Sequence, residues 1–355
     1  MDPLTQAVLG GTIGEAGFRK SLGRKAGLFG AAVAMLPDLD VVTRLGGEWM
    51  FIDHHRASSH SLFTLSLAAF GIGALGYLWD RRRTRYRTWA HLSFWALVTH
   101  PLLDWCTLYG TELFWPLSRE RLACDAVSVI DPIYSLPLFV AFIVGRMRSV
   151  SSKVVRSVAI AALALTTAYL ACGYAQSRRA YELARKELER EQFPVTELRA
   201  TPTPFNIWLQ RLTARDAAGN LRVGFVSTWS PAPIVFLAID RPASPLIDQA
   251  LHTREGQIFL SFSQRMITPR VEKTQEGGAR VILSDLRYNF TTAPRETPFE
   301  AIAEFDSSGS LTRMYCHRGV RSVGITVELA HMWRMIRGEP YDPNAYGPRG
   351  GQTVR

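Results

Sequence analysis

The stretch His54-His55-Arg56-Ala57-Ser58-Ser59-His60-Ser61-Leu62-Phe63-Thr64-Leu65-Ser66-Leu67-Ala68-Ala69-Phe70-Gly71-Ile72-Gly73-Ala74-Leu75-Gly76-Tyr77-Leu78-Trp79 decides the fold. From Ser61 to Trp79 it carries no charge, which is the length and composition of a membrane-spanning helix. Imidazoles and a guanidinium stand at its head, and ionisable groups beside hydrocarbon mark a functional site by default. Working outward, Val127 to Gly145 and Ser157 to Gln176 read as further spans, with a shorter one from Thr88 to Leu103. Ala26 to Leu36 is too short to cross alone and stops at Pro37, as a broken or re-entrant helix would. Residues 4 to 18, with Gly10, Gly11, Gly14 and Gly17, supply its small-residue partner. The expectation is four spans and an N-terminal hairpin.

Charge orients this bundle. Arg81, Arg82, Arg83, Arg85 and Arg87 crowd one short loop, and Arg146, Arg148, Lys153 and Arg156 another, so both are expected in the cytoplasm. Arg19, Lys20, Arg24 and Lys25 agree. Arg19 and Lys20 follow the first apolar stretch instead of preceding it, so no cleavable signal peptide is expected.

Over 355 residues the formal charge is +10. Much of it sits in loops between apolar runs, where topology-setting charge is a better reading than nucleic-acid binding. The expected partner is membrane lipid or a lipid-linked substrate. Four cysteines without a C-x-x-C pair indicate neither a disulfide framework nor a thiolate metal site.

A mean hydropathy of +0.01 conceals two unlike halves that meet near position 177. The fold class expected is a polytopic α-helical membrane bundle followed by a soluble, mostly antiparallel β domain. Residues 1 to 176 form the membrane-embedded metal-site domain and 177 to 193 a helical stalk, solvated and laced by i,i+4 charge pairs. Residues 194 to 337 form an extracytoplasmic β domain, and 338 to 355 a Pro- and Gly-rich disordered tail. Expected strands cover Ile207 to Thr213, Leu221 to Thr228, Gln257 to Ser263, Ala279 to Leu286 and Phe299 to Phe305, with turns at Asp216 to Asn220 and Ser307-Ser308-Gly309.

The polar residues of the first half gather where the apolar runs end. His100 and Asp104, four apart, share a helix face and can chelate one ion, or form a hydrogen-bonded structural pair. Asp38 and Asp40 repel each other unless a cation lies between them; otherwise one of them caps a helix starting at Val41. His55 and His60 add imidazoles, whereas His54 projects elsewhere. Arg56 carries a planar fork suited to phosphate. Asp131, inside an apolar run, suggests a ligand or a ligand's partner, and the loop before it, with Trp115, Ser118, Arg119, Arg121 and Asp125, forms the lip of a polar cavity. Histidine with aspartate and little cysteine suits a borderline or hard divalent ion such as Zn²⁺ or Mn²⁺. Given the charge bias, all of these residues come out on the extracytoplasmic face.

Asp2-Pro3-Leu4-Thr5, Pro37-Asp38-Leu39-Asp40, His55-Arg56 with His60-Ser61, His100 with Asp104 and Thr107, Tyr109-Gly110-Thr111, and Asp131-Pro132 together resemble the membrane-bound metal-dependent hydrolases known as the YdjM-like, inner-membrane-associated group. The resemblance covers roughly residues 1 to 145. The strings Thr203-Pro204-Phe205-Asn206 and Asp285-Leu286-Arg287-Tyr288 resemble the soluble extension of longer members. That family normally has His after Asp-x-x-Thr; this chain has Gln6, which is no substitute for imidazole as a strong Zn²⁺ ligand.

The reading that follows is metal-assisted hydrolysis of an ester or phosphoester. Asp38, Asp40, His60, His100 and Asp104 are the expected catalytic residues and, with His55, the expected metal ligands; Asp2 stands near them. Arg56, Tyr109, Thr111 and Asp131 are expected to face substrate. A non-catalytic metal scaffold and an ion- or proton-coupled transporter are the rivals, although no internal repeat of the transporter kind is present.

Overall fold

The computed structural model describes residues 1–239, 241–319 and 323–343. It divides into a unit of Met1–Tyr174 with Pro204–Asn206 and a unit of Ala175–Thr203 with Ile207–Arg355.

The first unit is helical: α1 (Pro3–Ile13), a π-helical turn (Gly14–Phe18), α2 (Arg19–Leu22), α3 (Lys25–Ala34), a 3-10 segment (Pro37–Gly46), α4 (Glu48–His54), α5 (Leu62–Trp79), α6 (Tyr86–Trp105), α7 (Pro132–Arg146) and the first part of α8 (Ser152–Arg190), whose residues from Ala175 belong to the second unit. Asp2 caps α1 by accepting from the Thr5 amide, and Pro3 takes the position where a missing N–H costs nothing. Ser61 does the same for α5, accepting from the amides of Phe63 and Thr64. Helices α1 and α3 approach backbone to backbone: a methyl group on Gly10 would lie 2.4 Å from the Gly30 carbonyl oxygen and from the Ala34 Cβ. This is the small-residue packing that apolar surroundings favour.

Lys25–Gly46, Leu62–Trp79 and Ser152–Arg190 are long and apolar enough to cross a membrane; α7 is apolar but shorter. Lys25–Gly46 reaches that length because the 3-10 segment prolongs α3 beyond Leu36. The run expected from Val127 enters its helix only at Pro132. Asp131 caps α7 through the amides of Ile133 and Tyr134, so Asp131-Pro132 is a helix start and not a break within a span.

Buried ion pairs close the end of the helices that carries the basic loops. Glu15 is wholly buried and meets Arg19 at 2.5 Å and also Arg146, while Lys25 reaches Asp80 at 2.6 Å. A buried carboxylate is stable only if so matched.

The second unit holds two four-stranded antiparallel sheets. One runs β1 (Val195–Pro202), β2 (Leu209–Asp216), β3 (Leu221–Ser227), β4 (Phe236–Ile239); the other, β5 (Ile267–Lys273), β6 (Ala279–Asp285), β7 (Glu300–Phe305), β8 (Leu311–His317). Between them lie α9 (Pro245–His252) and α10 (Arg254–Phe262), and α11 (Ile325–Ile336) follows. Gln257 to Ser263, expected as a strand, falls almost wholly in α10. Thr253 caps it by accepting from the Gly256 amide, and Phe259 and Phe262, three apart, are both buried on one face, a helical spacing hidden in a short apolar run.

The helix expected as a solvated stalk continues α8 and is not freestanding. Ala180 and Ala184 are fully buried with Ala200, Leu212 and Val226 of β1, β2 and β3. Of the tail expected from Gly338, residues 338 to 343 are described, and Tyr341 is buried beside Phe225 with ring centroids 4.9 Å apart; residues 344 to 355 lie outside the described residues.

Candidate metal centre

Four side chains from three separate segments converge: Asp38 from the 3-10 segment after α3, His60 from the turn before α5, and His100 and Asp104 from the last turns of α6. The His60 Nε2 lies 3.1 Å from the His100 Nε2. Each of these nitrogens lies 3.5 Å from Asp38 Oδ1 and 3.3 or 3.4 Å from Asp104 Oδ2. The four donor atoms all lie within 4.8 Å of one another, a spacing that can hold a small divalent ion, whose bonds to nitrogen and oxygen ligands are about 2.0–2.2 Å long. His60, His100 and Asp104 are completely buried, and Asp38 is the partly exposed member.

Two further observations fit an ion. Asp104 Oδ2 and Asp38 Oδ2 are buried without a hydrogen-bond partner, which a carboxylate tolerates poorly unless a cation is near. Burial alone would lower the His60 pKa, yet the carboxylates of Asp104, Asp38 and Asp40 raise it to about 10. The cluster thus draws a positive charge to its centre, and a metal ion and a proton compete for that role.

The surrounding residues orient these donors. His100 Nδ1 lies 2.6 Å from the Ala34 carbonyl; donating its proton there leaves Nε2 with a free lone pair, as metal ligation requires. Asp40, expected as a direct ligand, instead stands one layer out. Its carboxylate accepts from the Ser59 hydroxyl at 2.7 Å and the Arg56 amide at 3.0 Å, and lies 2.7 Å from His55 Nδ1 and 3.4 Å from His60 Nδ1. His55, also expected as a ligand, is therefore held by Asp40 and stacks on Phe51; burial keeps its pKa below the ordinary value.

Gln6 settles beside the centre and not in it, donating through Nε2 to the His100 carbonyl at 3.1 Å and to Asp104 Oδ1 at 3.2 Å. The Met1 amine also reaches Asp104 Oδ1. Asp2 is taken up by capping Thr5, outside the cluster.

Arg56 is buried at the same place, 3.2 Å from Asp104 Oδ1, donating to the Thr107 hydroxyl at 3.2 Å and lying over the Tyr109 ring. Its φ of 59° is left-handed, which costs a non-glycine residue on the order of 1–3 kcal/mol and collects at functional sites. Tyr109 also meets His55 edge to face. The Thr111 hydroxyl is buried in the adjoining loop without a hydrogen-bond partner. Asp131 is not part of the group: besides capping α7, it accepts from the Tyr169 hydroxyl at 3.0 Å. Arg121 and Arg119, expected at a cavity lip, instead pin the loop, Arg121 donating to the carbonyls of Ile52 and His55 and Arg119 pairing with Asp53.

The departure at Gln6 was legible in the sequence, but the Met1 amine as a partner of Asp104 and Ser59 as a partner of Asp40 were not. Only the capping pattern Asp2-Pro3, which brings α1 to the centre by its first turn, signals any of this.

Comparison with known proteins gives two family matches. Residues 1–180 match the YdjM inner membrane protein family, and residues 245–320 match the YfhP C-terminal alpha/beta plait domain. The protein of Bacillus subtilis (strain 168) named Uncharacterized protein YfhP is 29% identical over 104 residues, which cover 28% of this chain and 31% of that relative. No solved structure matches the chain.

Proposed function

The chain belongs to the YdjM inner membrane protein family, and we propose that it is a membrane-bound, metal-dependent hydrolase acting on an ester or phosphoester at the extracytoplasmic membrane face. The convergence of Asp38, His60, His100 and Asp104 on one metal-sized point carries this reading. Held there, a divalent ion, Zn²⁺ or Mn²⁺, would supply Lewis acidity, polarising the scissile group and acidifying water. Asp40 orients His60, and Gln6 steadies Asp104. Arg56, whose Nε is buried without a partner, offers positive charge to a phosphate oxygen, with Tyr109 and Thr111 alongside. Asp38 stands on the accessible side, so substrate approaches past it. A lipid or lipid-linked substrate suits a centre set at the end of apolar helices.

One observation favours a second reading, a metal-bound scaffold without catalysis. Four protein donors can close a tetrahedral site, as structural metal sites do, whereas catalytic sites keep a position open. The test is metal analysis of the purified protein together with hydrolysis of a lipid phosphoester and a lipid ester. One bound ion and a turnover abolished by His100→Ala support the hydrolase. An ion with no turnover on either substrate supports the scaffold, and no bound ion ends both readings.

A further inference from the structure

Cys106 and Cys124 are far apart in sequence and carry no pairing motif, but the fold sets them face to face. Cys106 ends α6, two residues after Asp104, and its carbonyl accepts from the amides of Ala126 and Val127 at 2.9 and 3.0 Å; the Cys124 amide donates to the Trp105 carbonyl at 2.8 Å. These bonds clamp the two backbones side by side, and the two thiols interact with each other. Both are half-buried, within reach of an oxidant.

The loop between them grips the segment that carries the site. The Glu112 amide donates to the Arg56 carbonyl at 2.9 Å, Arg121 donates to the His55 carbonyl at 3.0 Å, the Leu62 amide donates to the Leu113 carbonyl at 3.0 Å, and the Ser61 hydroxyl donates to the Trp115 carbonyl at 2.6 Å. Its base is thus the natural place to lock His55, Arg56 and His60 into position.

We propose that Cys106 and Cys124 are a dithiol that closes to a disulfide and so fastens this loop over the metal centre. The co-reactant is a small-molecule disulfide. One thiolate attacks it and releases a thiol; the second then attacks the mixed disulfide and releases another. Overall, the protein dithiol and one disulfide give one protein disulfide and two thiols, with both protons and both electrons on the departing thiols. Closing a loop removes freedom from the unfolded chain, so the oxidised form is the more stable one.

The full-length protein in detergent is equilibrated with oxidised or reduced glutathione, the free thiols are blocked with N-ethylmaleimide, and peptides are mapped by mass spectrometry. The oxidised sample should yield a peptide linking Cys106 to Cys124, with Cys172 and Cys316 blocked as free thiols, and should melt several degrees above the reduced sample. A Cys106→Ser/Cys124→Ser variant should lose that redox-dependent shift; if it does not fold, the wild-type comparison suffices. Four blocked thiols under oxidising conditions, a link to Cys172 or Cys316 instead, or equal melting of the two forms overturns the proposal. None of these readouts depends on metal-dependent turnover, so the proposal stands or falls apart from the hydrolase reading.

Discussion

At the scale of the residue, the centre separates side chains whose donor atoms point at a common site from those that hold them. Asp104 offers Oδ2 to the two imidazoles and Oδ1 to Gln6, Arg56 and the Met1 amine. Removing its charge should therefore do more than removing that of Asp40, which touches only His55, His60 and their neighbours. Asp104→Asn is expected to abolish stoichiometric metal, measured by elemental analysis of the purified protein. Asp40→Asn should retain the ion with affinity reduced by about 10- to 100-fold, the usual effect of losing a ligand's supporting partner. Equal loss in both variants would place Asp40 among the ligands. Gln6→His bears on the family's usual histidine. Because Gln6 reaches the Asp104 oxygen that faces away from the imidazoles, the substitution should shift metal affinity by less than about tenfold. A competition titration showing a much larger gain would make position 6 a ligand.

Elements are held by two different kinds of contact in the two units. Between α1 and α3 the decisive feature is the lack of side chain at Gly10 and Gly30, so Gly10→Ala must push the helices apart. Overpacking of this kind costs about 1–3 kcal/mol, to be read as a lower unfolding midpoint in detergent, whereas Gly17→Ala, which meets nothing within 4 Å, should be close to neutral. In the β domain, α11 is tied down by polar groups. Glu328 accepts from the amides and hydroxyls of Thr291 and Thr292, and His331 Nδ1 lies 3.0 Å from the Thr291 hydroxyl. Burial, outweighing the attraction of Glu328, lowers the His331 pKa. The unfolded chain, with an imidazole near 6.5, then binds the proton more readily than the folded one. Stability is full above about pH 6.5 and falls as pH drops through and below that value. Thermal unfolding between about pH 5 and 8 should show this slope in the wild type and a shallower one in His331→Asn; identical slopes would remove His331 as the cause.

For the whole molecule, metal and topology are linked expectations. Arg56 and the Met1 amine balance Asp104, whereas Asp38 faces the two imidazoles, so a cation at the centre offsets the repulsion between the two carboxylates. Chelation should therefore lower the melting temperature of the wild type, by the equivalent of about 2.7 kcal/mol where free ion had stood a hundredfold above Kd. Asp38→Ala with His100→Ala should blunt that response, and a wild type indifferent to chelator would leave the cluster as a hydrogen-bonded network. Helix α6 begins beside the Arg81 to Arg87 loop and ends at His100 and Asp104, about 30 Å later for its length. If the basic loops are cytoplasmic, the centre belongs to the outer face. Cysteine labelling at Gly219→Cys from outside intact cells should succeed without permeabilisation, and labelling only afterwards would reverse the orientation.

Much of the plan was legible in the linear order of residues. A charge-free run such as Ser61 to Trp79 has one economical solution in lipid, and period-two alternation with Asp216 to Asn220 as its turn has one in water, so a helical region followed by antiparallel sheets needed no coordinates. His60, His100, Asp38 and Asp104 stood out because polar groups at apolar boundaries are conspicuous. What only the tertiary structure decided was which of several equal-looking side chains face one another. Asp38 and Asp40 are indistinguishable by type, and a 3-10 segment turns one toward the imidazoles and the other toward His55 and Ser59. Asp131 reads as an intramembrane carboxylate until the chain is seen to enter a helix at Pro132. Gln257 to Ser263 reads as a strand until Phe259 and Phe262 bury the same helix face. Cys106 and Cys124 meet only because Cys124 to Val127 return to the end of α6. Local pattern specifies periodicity and polarity over a few residues; direction and partnership across long separations are set by how the elements pack, and a function carried by converging side chains depends on those.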